Sequence, residues 1–429
     1  MMRGVLLFSG VALLFIFTGV TQSWNTSLTI LNMAVVSAIM AMGVNMQWGY
    51  AGLFNVGVMG FVALGGLGVV LSSTPPVAGA MAAGGWRILL ALLVGAAAIG
   101  LAVLAWRRLA GRMRGVATTV ILILGFVVFR ALFDPGVAGV EAINPTLQGN
   151  LGGLGLPVLL AWPIGGALAA AAAWAIGKTA LGLRSDYLAI ATLGIAEIIL
   201  SVMRNEEWLA RGVKNVIGLP RPVPYEVALQ QNPAFIHWAT GYGFDIAPAA
   251  AIVVKLCYLG LFVAVLAAIM LLAELALRSP WGRMMRAIRD NEAAAGAMGK
   301  DVKARHLQIF VLGAVVLGIA GAMMTTLDSQ LTPSSYQPLR YTFLIWVMVI
   351  VGGSGNNWGA MLGGFLIWWL WVMVEPIGTG LLTAATDLMA DGWLKTHLRD
   401  GMAHIRLLTM GVILLVVLRF HPRGLLPER

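Results

Sequence analysis

Residues 252–276 read IVVKLCYLGLFVAVLAAIMLLAELA. Only Lys255 and Glu274 carry charge in this run, and each lies near enough to an end to snorkel toward water. A helix needs roughly 20 mostly apolar residues to cross a bilayer, so this stretch reads as a membrane span. Its apolarity is continuous rather than alternating, which excludes a strand of a membrane barrel.

The same signature recurs along the chain. Candidate spans lie near 4–20, 28–48, 51–73, 87–106, 116–133, 156–177, 186–203, 252–276, 307–327, 341–351, 359–377 and 401–419. The 341–351 run is short and ends at Gly352-Gly353, which makes it a candidate arm of a broken or re-entrant helix. Gly4–Val20 lacks a small-residue cleavage site after it, so it reads as a first span rather than a signal peptide. Composition agrees: 59% of the 429 residues are hydrophobic and 11% are charged. A soluble domain carries about 25% charged residues. Mean hydropathy is +0.88. The expected fold is an all-α polytopic membrane protein, one domain over 1–429 with about 10–12 transmembrane helices.

The net charge of +10 does not point to nucleic acid, because the basic residues cluster in short loops between apolar runs. Arg107, Arg108, Arg112 and Arg114 follow the fourth span, and Lys178 and Arg184 follow the sixth. Arg278, Arg283, Arg286, Arg289, Lys300, Lys303 and Arg305 follow the eighth, and Arg423 and Arg429 lie in the tail. If the spans alternate, all these loops share one side. By the positive-inside rule that side is cytoplasmic, with both termini inside. The long segment 204–251 then faces the periplasm, and its Pro220, Pro222, Pro224 and Pro233 predict short helices or irregular chain. Ala314, Gly318 and Ala322, four residues apart, predict close helix packing in lipid.

Catalytic and nucleotide signals fail on inspection. Gly177-Lys178-Thr179 resembles the end of a P-loop, but the required glycine five residues before Gly177 is Ala172. Gly353-Ser354-Gly355 lacks the third glycine of a dinucleotide loop, since Trp358 stands there. Cys257 is the sole cysteine, so neither a disulfide within the chain nor a cysteine metal site is expected. His237, His306, His397, His404 and His421 are scattered, with no carboxylate cluster to make a metal centre. No cofactor is expected, and any ATP hydrolysis falls to partner subunits.

The loop 278–305 is the most informative polar stretch. Ser279-Pro280 is a helix start, and Arg283, Arg286 and Arg289 recur every third residue opposite Trp281, Met284, Met285 and Ile288. Glu292, Ala293, Ala294 and Gly299 follow. Physics alone leaves two readings open: a helix docked in a groove of another protein, or one resting on lipid headgroups.

This loop resembles the EAA coupling loop of ABC importer permeases in its RAIRxNExAAxAMG form. Asn45-Met46-Gln47-Trp48-Gly49-Tyr50-Ala51-Gly52 is similar to the NLxxGYAG signature of the LivM-type permeases of branched-chain amino acid importers. Leu183 to Leu193 with Glu197-Ile198-Ile199, Val351 to Gly359, and Arg419 to Pro427 resemble further blocks of that family. The resemblance implies a machine of two related permeases, two ATPases and a periplasmic binding protein. It assigns ATPase contact to Arg283, Arg286, Ile288, Arg289, Glu292, Ala293, Ala294 and Gly299. It leaves the substrate open, because related permeases serve urea and short amides. Two stretches depart from the pattern: Arg211 to Pro220, and the long region 376–401 with Asp387, Asp391, Lys395, His397, Arg399 and Asp400.

Polar residues within the spans leave two readings open: a translocation path through Asn45, Gln47, Gly49, Gly52 and Glu197, or an ordinary short loop around Gly49 and Gly52 with Glu197 as a helix-packing residue. Glu197 lies eleven residues beyond Asp186, about 16 Å deep. A carboxylate there costs about 2.5–3.5 kcal/mol on insertion scales, so it must face protein or water. Asn45 and Gln47 are candidate partners for it. The competing class is an ion-coupled secondary transporter using Glu197, disfavoured by the scarcity of other buried charges. A respiratory proton-translocating subunit would need chains of buried Lys, Glu and His, and a membrane enzyme would need a nucleophile or metal cluster.

Overall fold

The computed structural model describes residues 2–144, 149–183, 185–387, 389 and 392–428. Arg184, Asp391 and Arg429, three of the charges weighed above, lie outside the described residues. Each apolar stretch becomes a helix. The first half contains α1 (Met2–Thr21), α2 (Trp24–Ala51), α3 (Val58–Ser73), α4 (Trp86–Arg108), α5 (Gly111–Glu141), α6 (Val158–Ala180) and α7 (Ser185–Asn205). Short helices α8 (Glu207–Ala210), α9 (Glu226–Gln230) and α10 (Pro233–Gly241) build the following segment. Then come α11 (Ile246–Arg278), α12 (Pro280–Asp290), α13 (Glu292–Ala297), α14 (Val302–Asp328), α15 (Pro338–Gly352), α16 (Asn357–Asp387), α17 (Trp393–Asp400) and α18 (Ile405–Phe420). Among the described residues, nine helices are long and apolar enough to cross a membrane, and α3 and α15 are shorter apolar ones.

The centre is made of α2, α3 and α14, with α6 and α16 packed around them. Small residues permit this. Gly65 of α3 lies so close to Gly318 of α14 that a Cβ would run into the Gly318 carbonyl oxygen. Gly318 also meets Ala169 and Gly166 of α6. The four-residue spacing of Ala314, Gly318 and Ala322 thus forms a buried seam.

Several helices run past the spans read from sequence, α5 among them, which passes Pro135 to end at Glu141, and two further differences stand out. The 51–73 run is not one helix: α2 ends at Ala51, residues 52–57 are non-helical, and α3 starts only at Val58. Gly52 takes the left-handed conformation (φ 69°), and its N–H returns to Trp48 O, which closes α2. The non-helical segment then packs back into the bundle. Val56 N–H donates to Thr192 Oγ1 at 3.1 Å, and Thr192 lies seven residues, or about 10 Å, into α7. The break in the helical pattern therefore falls here. The 341–351 run instead belongs to the unbroken α15, which pairs with α16 as a hairpin. The second difference is α16, which passes through Pro376 and continues to Asp387.

The α4–α5 hairpin stands apart. It packs mainly on itself and meets the remainder near one end, where Ile88, Val140 and Trp208 cluster with Ala80. The 204–251 segment lies at that same end. There β1 (Val216–Ile217) pairs antiparallel with β2 (Gln330–Leu331), and Arg221 Nε donates to Ser329 Oγ at 2.6 Å. At the opposite end, Arg3, Glu274, Arg286, Gly355 and Glu428 line one cavity. The N-terminal helix, the end of α11, α12, the α15–α16 turn and the C-terminal tail therefore meet at a single end.

Candidate functional site

The helix pair at that end follows from its caps. Ser279 Oγ accepts from Gly282 N–H, and Pro280 sits at the first helical position, so α12 starts there. Asn291 ends α12 and begins α13, its Oδ1 accepting from Ala294 N–H at 2.9 Å. Gly299, with φ 77°, closes the turn after α13 in a conformation that suits glycine. The apolar positions of α12 turn inward: Met285 and Ile288 are buried against the bundle.

Arg289 fixes the pair in place. Its Nη1 donates to the Gly49 carbonyl at the end of α2. The same guanidinium grips Glu428 through Nη1 at 2.9 Å and Nη2 at 3.3 Å, a two-pronged pair. Burial works against the Arg289 charge, but hydrogen bonding to Glu428 and Asp290 outweighs it and raises its pKa. The tail is pinned beside it, with Leu425 N–H donating to Val351 O at 2.8 Å and Asn356 Nδ2 donating to Leu426 O at 3.1 Å.

The eight coupling-loop residues therefore divide. Ile288 and Arg289 face the bundle and Arg286 is half-buried, whereas Arg283, Glu292, Ala293, Ala294 and Gly299 are exposed. Met298 beside them is 80% exposed. The outward side of α13 is thus small, apolar and flanked by charge, a shape suited to entering a groove of another protein. Glu428 was missed in the sequence, since no local pattern links it to Arg289.

Just inside this end lies a closed polar network. Asn45 Nδ2 donates to Asn357 Oδ1 at 3.2 Å, and Asn45 Oδ1 accepts from Gly355 N–H at 2.8 Å. Tyr50 Oη also donates to Asn357 Oδ1, and Asn357 Nδ2 donates to Glu274 Oε1. Gln47 Nε2 donates to Phe310 O at 2.8 Å, and its Oε1 accepts from Asn55 Nδ2 at 2.8 Å. Asn45, Gln47 and Asn55 are fully buried. Gly49 packs so tightly on Gly355 N that a side chain there would displace it. Trp48, Phe54 and Trp346 brace the non-helical segment 52–57 as an aromatic cluster, and Trp346 Nε1 donates to Asn55 O.

Glu197 is not part of this network, which corrects the pairing with Asn45 or Gln47 expected from sequence. Those two residues satisfy each other's neighbours inside the chain, while Glu197 points away on the outer face of α7. It shares that face with Ile190, Gly194 and Ile198, and a Cβ on Gly194 would meet nothing. Glu197 makes no hydrogen bond or ion pair among the described residues. Among those residues, too, no group of three or more His, Cys, Asp or Glu side chains could hold a metal.

The fold and this end define a class: a polytopic α-helical membrane protein that holds an amphipathic helix pair outside its bundle. The family profile described as "Branched-chain amino acid transport system / permease component" matches residues 145–418. The chain belongs to that permease family. It is 26% identical over 295 residues to the "High-affinity branched-chain amino acid transport system permease protein LivM" of Escherichia coli (strain K12), covering 68% of this chain and 62% of that one. The "Probable branched-chain amino acid transport permease protein LivM" of Methanocaldococcus jannaschii is 26% identical over 248 residues, covering 58% and 61%. The LivH permease protein of the same organism is 30% identical over 110 residues, covering 25% and 34%. The chain thus spans about three fifths of the length of the LivM relatives it matches. No solved structure matches.

Proposed function

We propose that this chain is the permease subunit of an ATP-driven importer, forming the path for leucine, isoleucine and valine delivered by a periplasmic binding protein. It lies in the bacterial inner membrane with both termini in the cytoplasm. It has no ATP site of its own and works with two ABC ATPases and a second, homologous permease. The observation that carries this reading is the α12–α13 pair, whose exposed Glu292-Ala293-Ala294 face is held at a fixed height by Arg289. A movement imposed on that face reaches the Gly49 carbonyl and the α15–α16 turn directly, so ATPase motion is transmitted to the bundle. The sister permease covers the α7 face and the open side of the α4–α5 hairpin. The translocation path runs past Glu197 at that junction, because lipid would penalise an uncovered carboxylate there. Asn45, Gln47, Gly49 and Gly52 brace the cytoplasmic end of the path.

A pull-down of the tagged chain from native membranes in mild detergent, with mass spectrometry of its partners, tests this. Two ATPases and a second permease are expected, and the accompanying binding protein should bind leucine, isoleucine or valine in preference to urea. Recovery of the chain alone would sink the importer reading and favour ion coupling through Glu197. Reversing charge with Glu292→Arg should lower the recovered ATPase by at least about tenfold. Unchanged recovery would remove the α13 face from the ATPase contact.

A further inference from the structure

The cavity at the coupling end has a volume of about 1140 Å³ and opens between α1, α11 and α12. An apolar groove of about 540 Å³ adjoins it, and the two share Glu274, Arg278 and Trp358. The groove follows α11 from Arg278 up to Val263. Fifteen residues of helix separate these ends, or about 22 Å, which exceeds the roughly 15 Å half-thickness of the hydrocarbon layer. Its wall is made of residues such as Leu266, Met270, Leu271 and Met361.

The mouth is cationic once its own pairs are set aside. Glu428 is taken up by Arg289, and Glu274, which accepts from the neutral amide of Asn357, offsets one of the three arginines that remain, Arg3, Arg278 and Arg286. Arg278 meets Glu274 only at 3.6 Å and is 81% exposed. Arg3 and Arg286 line the cavity and have no carboxylate partner among the described residues. Basic groups at headgroup height above an apolar cleft match one occupant in chemistry and in shape.

We propose that this site binds an anionic phospholipid of the adjacent leaflet. Arg3, Arg278 and Arg286 hold the phosphate, and one acyl chain lies along α11 against Leu266 and Met270. The lipid would wedge between α1 and the base of α12, and so sit against the element that carries the ATPase face. The site requires membrane embedding but not the importer reading, and its test uses neither transport nor the ATPases.

The purified full-length chain would be titrated with phosphatidylglycerol and with phosphatidylcholine, followed by native mass spectrometry and thermal unfolding. One tightly retained phosphatidylglycerol and a raised unfolding midpoint are expected, with phosphatidylcholine giving neither. Arg3→Gln and Arg286→Gln should each lower that affinity about fivefold. Ala267→Trp, on the exposed groove wall, should block the acyl chain while the chain stays folded. Equal retention of the two lipids, or unchanged affinity in all three variants, would overturn the proposal. Displacement of the lipid by millimolar inorganic phosphate would also overturn it, by showing a bare phosphate site.

Discussion

Helices α2 and α7 both carry polar side chains within long apolar spans, yet they treat them in opposite ways. On α2, Asn45 and Gln47 are fully buried and their hydrogen bonds close within the chain. On α7, the inward face packs Thr192 and Ala196 against the start of α3, while Glu197 is left on the outer face. The α2 network therefore belongs to the folding of one subunit. The α7 carboxylate finds no hydrogen bond or ion pair among the described residues, and in the proposed importer the sister permease covers it. The α12–α13 pair repeats the contrast on a smaller scale, with Arg289 turned inward and Glu292 turned outward.

Substitutions can break or sharpen this contrast. The largest effect is expected in the seam beneath α2, where Gly318→Leu would force α3, α6 and α14 apart. Overpacking costs about 1–3 kcal/mol at ordinary sites, and here backbone meets backbone, so about 3 kcal/mol or more and loss of the folded chain from detergent extracts are expected. Asn45→Leu comes next. It strands Gly355 N–H and one donor bond to Asn357, at about 1–3 kcal/mol, read as a lowered unfolding midpoint of the isolated chain. Arg289→Ala removes charge-assisted bonds that remain about a quarter exposed at the arginine, so about 1–2 kcal/mol is expected, with faster proteolysis of the 421–428 tail. Glu197→Leu should leave the unfolding free energy of the isolated chain within about 0.5 kcal/mol, with no clear shift of its midpoint. Its effect should appear in recovery of the sister permease and in uptake. A large fall in the midpoint of the isolated chain would show that Glu197 belongs to the internal class after all.

The contrast also shows what the sequence could and could not disclose. Apolar length alone located every long helix, because lipid imposes that requirement residue by residue. It misplaced the start of α3, because Gly52-Leu53-Phe54-Asn55-Val56-Gly57 is as apolar as a helix would be. Its non-helical course is held by Thr192 and Trp346, which are distant in sequence. It carried α16 only to residue 377, since Pro376 reads locally as an end. The caps of α12 and α13 were legible because Ser279-Pro280 and Asn291 act on neighbours a few residues away. The facing of Glu197 was not, because a helix presents its two sides identically until its partners are known. Glu428 was invisible because Arg289, its partner, lies 139 residues away in the chain.

The enclosure of α3 has a consequence in time. Gly68 and Gly60 of α3 meet α6 and α7, but Gly65 and Gly66 pack on Gly318 and Thr325 of α14, whose last residue lies about 255 positions later in the chain. At roughly 5–20 residues per second of synthesis, α3 waits about ten to fifty seconds before its neighbour exists. During that interval a short, glycine-rich segment must be sheltered by lipid or by the insertion machinery. A variant that slows elongation between α3 and α14 should therefore lower the yield of folded protein without changing a single contact in the finished molecule.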